Sequence, residues 1–384
     1  MQRGPCCDAL GMAQQPLTWI GGNVIFPIRI SRTKIVRCRI EMDSKFMVIA
    51  SVFVSILVCV SCAENSTIGR EDHLQSFFRE REVAIAVVDS GLGGLSILAD
   101  AVERSKEWAC FRKVDFVYFN ALFANEGGYN TLETHQEKVA IFQSALESLE
   151  HSFKPDLILI GCNTLSTLYD DTHFSKETKT PVRGIIDAGV TMACDALKAH
   201  QESKIILFAT QTTAAQNTHK NLLLKKGFLP ERILSQACPE LARYIEEDYR
   251  GDETEMLIFA YVDEAIKNIG DLTAPLLVSF NCTHFGYSLD LWKKAFHSLG
   301  VEPLAFLNPN AKMNDFLFSP QYRNRFKSTH TSVRIVSMVE IGKKKTDNIG
   351  SLIHSLSPET AEALTRYEWA EDLFEWKSYI KSRN

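Results

Sequence analysis

The stretch "DLILIGCNTLSTLY", residues 156–169, decides the fold. Leu157 to Ile160 are apolar at every position, so both faces of the strand they form must be covered, as in a parallel sheet flanked by helices. The run ends at Gly161 and passes at once into Cys162, Asn163 and Thr164, small groups able to hydrogen-bond. Residues 276–285, "LLVSFNCTHF", repeat the event, ending in Cys282, Thr283 and His284. In open α/β sheets ligands collect beyond the carboxyl ends of strands. Both thiols fall there.

Outward from these two runs, apolar strands alternate with helix-like segments. Strands are expected at residues 83–90, 114–120, 156–162, 182–187, 204–210, 232–237, 275–282 and 303–308. Between them lie amphipathic stretches such as residues 132–152, which put Val139, Phe142, Ala145 and Leu146 on one face. A βαβ series of this kind predicts doubly wound parallel sheets. The C-terminal stretch 357–384 opens with Ser357 as an N-cap, Pro358 in the first helical position and Glu359 in the first turn. Ala361, Leu364, Trp369, Leu373 and Trp376 then recur at helical spacing, which predicts a docked helix.

At 384 residues the chain is long enough for two or three domains, and 45% apolar with 23% charged residues is enough to bury a core. A net charge of −5 provides no basic surface, so nucleic acid is excluded as a partner. Ten cysteines, irregularly spaced, do not make a disulfide scaffold. Cys59 and Cys62 form a Cys-x-x-Cys pair, but no second pair completes a metal site. Cysteine is commonly just a small buried residue, and Cys110, Cys194 and Cys238 read that way.

The N-terminus differs from the rest. Arg29, Arg32, Lys34, Arg37, Arg39 and Lys45 precede Phe46–Val60, a mostly apolar run of 15 residues that is short for a spanning helix and suits a signal-peptide core. "VCVSC" resembles a bacterial lipoprotein box with Cys62 as the lipidated residue; cleavage after Ala63 is the competing outcome. Met42 opens a cleaner signal sequence and offers an alternative start. The expectation is an exported, membrane-anchored protein, cytoplasmic if this segment is not used. Residues 1–63 then form an extension and anchor, and 64–82 a tether.

The first strand of the body ends in "VVDSGLGGLSIL", residues 87–98. A glycine-rich turn into a helix can cradle a phosphate, but this spacing is neither that of a dinucleotide fold nor that of a P-loop. The alternative is that Gly91, Gly93 and Gly94 let the strand turn sharply. Asp89 and Ser90 stand beside backbone N–H groups able to hold a carboxylate.

With Asp89-Ser90-Gly91-x-Gly93-Gly94, Cys162-Asn163-Thr164 and Cys282-Thr283-His284 in that order, residues 83–310 resemble the aspartate/glutamate racemase family, in its glutamate racemase branch. "GIIDAG" (184–189), the threonines of "ATQTT" (209–213) and "ACPELARYIE" (237–246), which ends in Glu246, add to the resemblance. The family's Pro-Tyr-Gly is replaced by Gly128-Tyr129-Asn130. Gly286-Tyr287 stands where a proline is usual, and "LNPNAKMNDFLF" (307–318) replaces an Ile-Asp-Ser strand end.

The resemblance implies two pseudo-symmetric parallel-sheet lobes with the active site between them, here carrying a helical C-terminal extension. Lobe 1 would span 83–180, lobe 2 181–285, the return to lobe 1 286–330 and the extension 331–384. It also implies L/D interconversion of glutamate for peptidoglycan, with neither metal nor other cofactor; a homodimer is left open. The small-molecule partner is an amino acid, and aspartate is the alternative substrate. An exported lipoprotein that keeps the fold only as a binding module is the alternative from another class.

Inverting an amino-acid Cα requires taking a weakly acidic proton from one face and returning one to the other. Two opposed residues, one thiolate and one thiol, can do this. A free thiol titrates at about 8.5, so a neighbour must favour the thiolate. Asp89 and His284 are the candidate neighbours, with Glu246 supporting His284. The resemblance assigns attack on the D-substrate to Cys162 and on the L-substrate to Cys282. It gives Asp89, Ser90, Tyr129, Asn130, Asn163, Thr164, Thr283 and His284 to substrate binding.

Overall fold

The computed structural model describes residues 18–20, 23–31, 34–40, 73–125 and 128–380. The apolar run 46–60, Cys62 and the tether up to residue 72 lie outside the described residues. Among the described residues no helix is long and apolar enough to cross a membrane.

The chain divides into two compact units, Met1–Glu71 and Asp72–Asn384. The first contains an antiparallel sheet of β1 (Thr18–Ile20), β2 (Asn23–Ser31) and β3 (Lys34–Ile40), with Val24 opposite Ile40 and a register slip between Arg29 and Ser31. The sequence reading places no strand here. It weighs the basic residues as a leader and passes over the β-branched residues between them, which favour strands.

The second unit begins with a helix over residues 73–79 (α1). Its first half runs β4 (Glu82–Asp89), α2 (Leu95–Trp108), β5 (Lys113–Asn120), α3 (His135–Phe153), β6 (Leu157–Ile160), α4 (Asn163–Leu168), α5 (Phe174–Glu177) and β7 (Val182–Gly184). The chain then crosses through α6 (Ile185–Ala199) to β8 (Lys204–Ala209), α7 (Gln211–Gln216), α8 (Thr218–Lys225), β9 (Ile233–Ala237), α9 (Leu241–Glu247), α10 (Asp252–Ile269), β10 (Leu276–Asn281), α11 (Leu289–Ser298) and β11 (Ala305–Leu307). It returns with β12 (His330–Ser337), α12 (Lys343–Leu356), α13 (Pro358–Thr365) and β13 (Glu368–Trp369).

Two sheets result, ordered β13-β12-β5-β4-β6-β7 and β11-β10-β8-β9, and every pairing in both is parallel. Register brings the carboxyl ends level. Asp89 pairs with Asn120 and Asn120 with Ser337 in one sheet; Asn281 pairs with Ala209 and Ala209 with Ala237 in the other.

Each sheet is covered on both faces, which is why its inner strands β4, β6, β8 and β10 read as largely apolar runs. In the first sheet Ile85, Val87, Phe116 and Leu159 pack with Leu95, Leu98, Ile349, Ile353 and Leu364. On its other face Val88, Phe119, Ile158 and Ile160 pack with Phe142, Leu146 and Leu165. In the second sheet Phe208, Val278 and Phe280 meet Trp292 and Phe296, while Ile205, Leu207 and Leu277 meet Val190, Leu197 and Leu223. The long helix α3 is fixed at its start by a reciprocal capping box between Thr134 and Glu137.

Several expectations change. β7, placed in lobe 2, pairs with β6 in the first sheet, and α11 and β11, placed in the return to lobe 1, belong with the second sheet. The strand at 182–187 stops at Gly184, because Ile185, Ile186, Gly189, Val190, Ala193 and Leu197 form the buried stripe of α6. Residues 331–384 are not helical alone: β12 lies between β5 and β13 and completes the first sheet before α12 begins. In the tail, Ser357 caps α13 and Pro358 opens it as expected, but the helix ends at Thr365. Trp369 is exposed on β13, and Leu373 and Trp376 pack against the first sheet from the irregular segment beyond.

Leu364 is fully buried against α2, α12 and the first sheet. Leu364→Ala should therefore cost about 2–5 kcal/mol in denaturant unfolding. A cost under about 0.5 kcal/mol would mean the tail is not part of the core.

Candidate active site

Beyond the two sets of strand ends lies a cavity of about 410 Å³, lined among others by Asp89, Ser90, Cys162, Asn163, Thr164, Cys282, Thr283, His284 and Glu246. Asp89 is the last residue of β4, and Cys162 stands just after β6 at the start of α4. Cys282 follows β10 directly. Both thiols are free and buried.

The glycine-rich turn after β4 is where the two sheets meet. A Cβ on Gly91 would lie 2.5 Å from Glu246 Oε1, and one on Gly93 would lie 2.2 Å from Thr283 Oγ1 and 2.7 Å from His284 Nδ1. A Cβ on Gly94 would lie 2.6 Å from Asp89 Oδ2. None of the three has the positive φ that favours glycine. Close approach, and neither phosphate binding nor sharp turning, explains them. One N–H of the loop does hold a carboxylate, and it is the protein's own: Leu92 N donates to Glu246 Oε1 at 2.7 Å.

A charge relay crosses the cavity on the Cys282 side. His284 Nδ1 lies 3.6 Å from Cys282 Sγ, and His284 Nε2 lies 2.8 Å from Glu246 Oε1. Lys345 Nζ, from α12, donates to Glu246 Oε2 at 2.9 Å. Burial works against the charged form of His284, but its bonds to Cys282 and Glu246 hold its titration up at about 10, so it is an imidazolium at neutral pH. Burial also opposes ionisation of Glu246, yet His284 and Lys345 bring it down to about 2. The imidazolium gives a thiolate at Cys282 a positive partner.

The Cys162 side is built differently. Ser90 Oγ is 3.1 Å from Cys162 Sγ. Burial, then the carboxylate of Asp89, push the Cys162 thiol up to about 12, with Ser90 only partly opposing. Contrary to the expectation that Asp89 favours a thiolate, its negative charge does the reverse. Asp89 itself is raised to about 6 by burial, against the pull of His284 and a 3.0 Å bond from Thr283 Oγ1 to its Oδ2. Its Oδ1 has no partner among the described residues, and neither does the amide of Asn163. Buried polar atoms facing a cavity without partners are placed to receive a ligand's polar groups.

The threonines of the 209–213 segment stand beside these groups. Thr164 Oγ1 lies 2.8 Å from Thr210 Oγ1 and 3.2 Å from Thr213 Oγ1, joining α4 to α7. Asn130 lines the cavity and its Oδ1 accepts from Thr212 N. Tyr129 does not line it: its ring packs edge-on against Phe123 and Phe142 in the apolar core. Cys238, read as a plain core residue, lines the cavity, as do Arg243 and Lys345. Among the described residues no cluster of side chains could hold a metal ion.

No family model matches the chain. The glutamate racemase of Campylobacter jejuni is 31% identical over 205 residues, which cover 52% of this chain and 72% of the relative. The chain belongs to the glutamate racemase family. Solved members share its fold. The Bacillus anthracis glutamate racemase isoform superposes with a TM-score of 0.55 at 17% identity, over 77% of this chain and all of that one. The Francisella tularensis glutamate racemase, solved in complex with D-glutamate, gives 0.51 at 20% identity, over 75% of this chain and 95% of that one.

Two of the departures from the family's usual pattern are structural here. Tyr287 OH donates to Gly93 O at 2.8 Å and accepts from Ser96 N, pinning the glycine turn. Asn310 Nδ2 donates to Thr283 O and Ser96 Oγ. The residues that replace the expected proline and Ile-Asp-Ser end thus clamp the glycine turn and the Cys282 segment.

Two tests follow from this geometry. Gly93→Ala should displace Thr283 and His284 and lower racemase activity by about 100-fold, with the circular-dichroism spectrum kept. Activity near the native level would show that the turn has slack. The Glu246–His284 pair should also stabilise the fold over a definite pH window. Glu246 falls from 4.5 to about 2, so its contribution is present above 4.5 and lost as pH drops through 2. His284 rises from 6.5 to about 10, so its contribution is complete below 6.5 and lost as pH climbs through 10. The melting-temperature gap between the native chain and Glu246→Gln should peak between those inner limits and shrink on both sides; a flat gap would contradict the pairing.

Proposed function

We propose that this chain is an amino-acid isomerase that interconverts L- and D-glutamate with two opposed thiols and supplies D-glutamate for peptidoglycan. The observation that carries the reading is the pair Cys162 and Cys282, free and buried in one cavity and each at the carboxyl end of a strand from a different sheet. Asn163, Asp89 Oδ1 and the threonine cluster offer the polar groups that the substrate's ammonium and carboxylates need.

In the L-to-D direction the Cys282 thiolate takes the Cα proton, and the electron pair delocalises into the substrate's α-carboxylate. The Cys162 thiol then delivers its proton to the opposite face, and Cys162 is left as the thiolate. The reverse direction exchanges the roles. Holding the substrate's charged groups makes proton transfer effectively unimolecular, and donors aimed at the developing charge lower the barrier further. Both bases come from the chain, so neither pyridoxal phosphate nor a metal ion enters the scheme.

Incubation of D- or L-glutamate in deuterated water should place deuterium at Cα as racemisation proceeds, with aspartate run in parallel. Cys162→Ala and Cys282→Ala should each abolish racemisation while the fold survives. Full racemisation by either variant would end the two-thiol assignment, and preferential turnover of aspartate would move the substrate.

A further inference from the structure

The C-terminal segment beyond β12 reaches the active site. Helix α12 begins with Lys343, Lys344 and Lys345. Lys343 pairs with Asp347 on its own helix, and Lys344 stands 4.0 Å from Glu247. Lys345 turns the other way, lines the cavity and donates at 2.9 Å to Glu246 Oε2, a carboxylate only 7% exposed. The other oxygen of that carboxylate holds His284 Nε2 and Leu92 N. Asn348, one turn further along α12, donates to the carbonyls of Ile245 and Glu246 and accepts from Tyr249 N. The helix therefore grips both the backbone and the carboxylate of Glu246.

We propose that Lys345 is a positioning residue for the Cys282 half of the reaction, acting through Glu246 and His284, so that α12 is part of the catalytic machinery. The inference rests on the two-thiol reading and adds to it the element that sets the geometry and charge on one side. A carboxylate with one oxygen fixed can rotate about its last bond. Fixing the second oxygen with a cation locks the plane and keeps Oε1 aimed at His284 Nε2. The cation also offsets one negative charge in a site where Asp89 and Glu246 already oppose a thiolate. Arg243 of α9 lines the same cavity but pairs with Glu240 and Glu247, while Leu92 N from the glycine turn bonds Glu246. Glu246 also acts on Asp89, His284, Tyr118 and Tyr287. Lys345 is the cation that bonds its outer oxygen.

The test reads the thiolate directly. The full chain is treated with iodoacetamide across pH, and the rate at Cys282 is followed by peptide mass mapping, apart from Cys162 and Cys238. Lys345→Met should slow alkylation of Cys282 at neutral pH by about fivefold and shift the acid limb of kcat/KM upward. Lys345→Arg, which keeps the cation, should restore both. In a Glu246→Gln background the lysine change should have little further effect, because the route through Glu246 is already cut. Lys345→Gln replaces the methionine variant if that one unfolds. Alkylation and acid limb both unmoved in a folded variant would overturn the proposal, as would a full lysine effect in the Glu246→Gln background. The alkylation arm does not depend on turnover. A chain that racemises nothing but shows the lysine effect would fail only the proposed function.

Discussion

A Cβ on Gly93 would sit 2.2 Å from a threonine oxygen and 2.8 Å from the backbone nitrogen of His284, and the site depends on that missing atom. The turn after β4 belongs to one sheet; Thr283 and His284 belong to the other. Where they touch, Thr283 bonds Asp89, Leu92 bonds Glu246, and Tyr287 bonds Gly93. These contacts fix how far apart the two sets of strand ends lie. The spacing between Cys162 and Cys282, each rooted in its own sheet, is inherited from them. A side chain at Gly91 or Gly93 would wedge the joint apart, and one at Gly94 would press on Asp89 of its own strand. The motif therefore does the work of a hinge pin more than that of a loop.

Much of this is legible in the sequence because burial on both faces leaves a strand few polar positions, as in the runs that lead to Cys162 and Cys282. The second set of strands was equally plain. What stayed hidden had a common cause, namely partial exposure. β12 is covered by β13 only at Val336 and Ser337, so its first half, with His330, Ser332 and Arg334 exposed, reads as polar chain. The first two residues of α6, Ile185 and Ile186, look like a strand because they are apolar, and only the stripe that continues to Leu197 shows them to be helical.

Within the site the same limit applies. A motif reveals residues whose neighbours in sequence are their neighbours in space, such as Cys282 and His284. Glu246 could be picked out by its distance from Cys238 within one matched segment. Lys345 could not: it sits in a run of three lysines, which reads as a solvated face, and its partner lies 99 residues away. Cys238 lies in that same matched segment, yet a lone buried cysteine reads as core, and Tyr129 shows the opposite error, a matched position whose ring has been drawn into the core.

The two thiols stand in unlike surroundings, and that difference orders the proposed reaction. Burial and the Asp89 carboxylate keep the proton on Cys162, while the imidazolium of His284 offers a thiolate at Cys282 its counter-charge. In the proposed L-to-D direction the proton starts on Cys162, where burial and Asp89 favour it, and His284 stands beside the thiol that receives the substrate's proton. Turnover leaves the negative charge on Cys162, the side that disfavours it. Mirror-image substrates have equal free energy in water, which forces kcat/KM to be the same in both directions whatever the site does. The asymmetry can appear only in how that ratio divides between kcat and KM. It does so because the enzyme, unlike its substrates, is not its own mirror image.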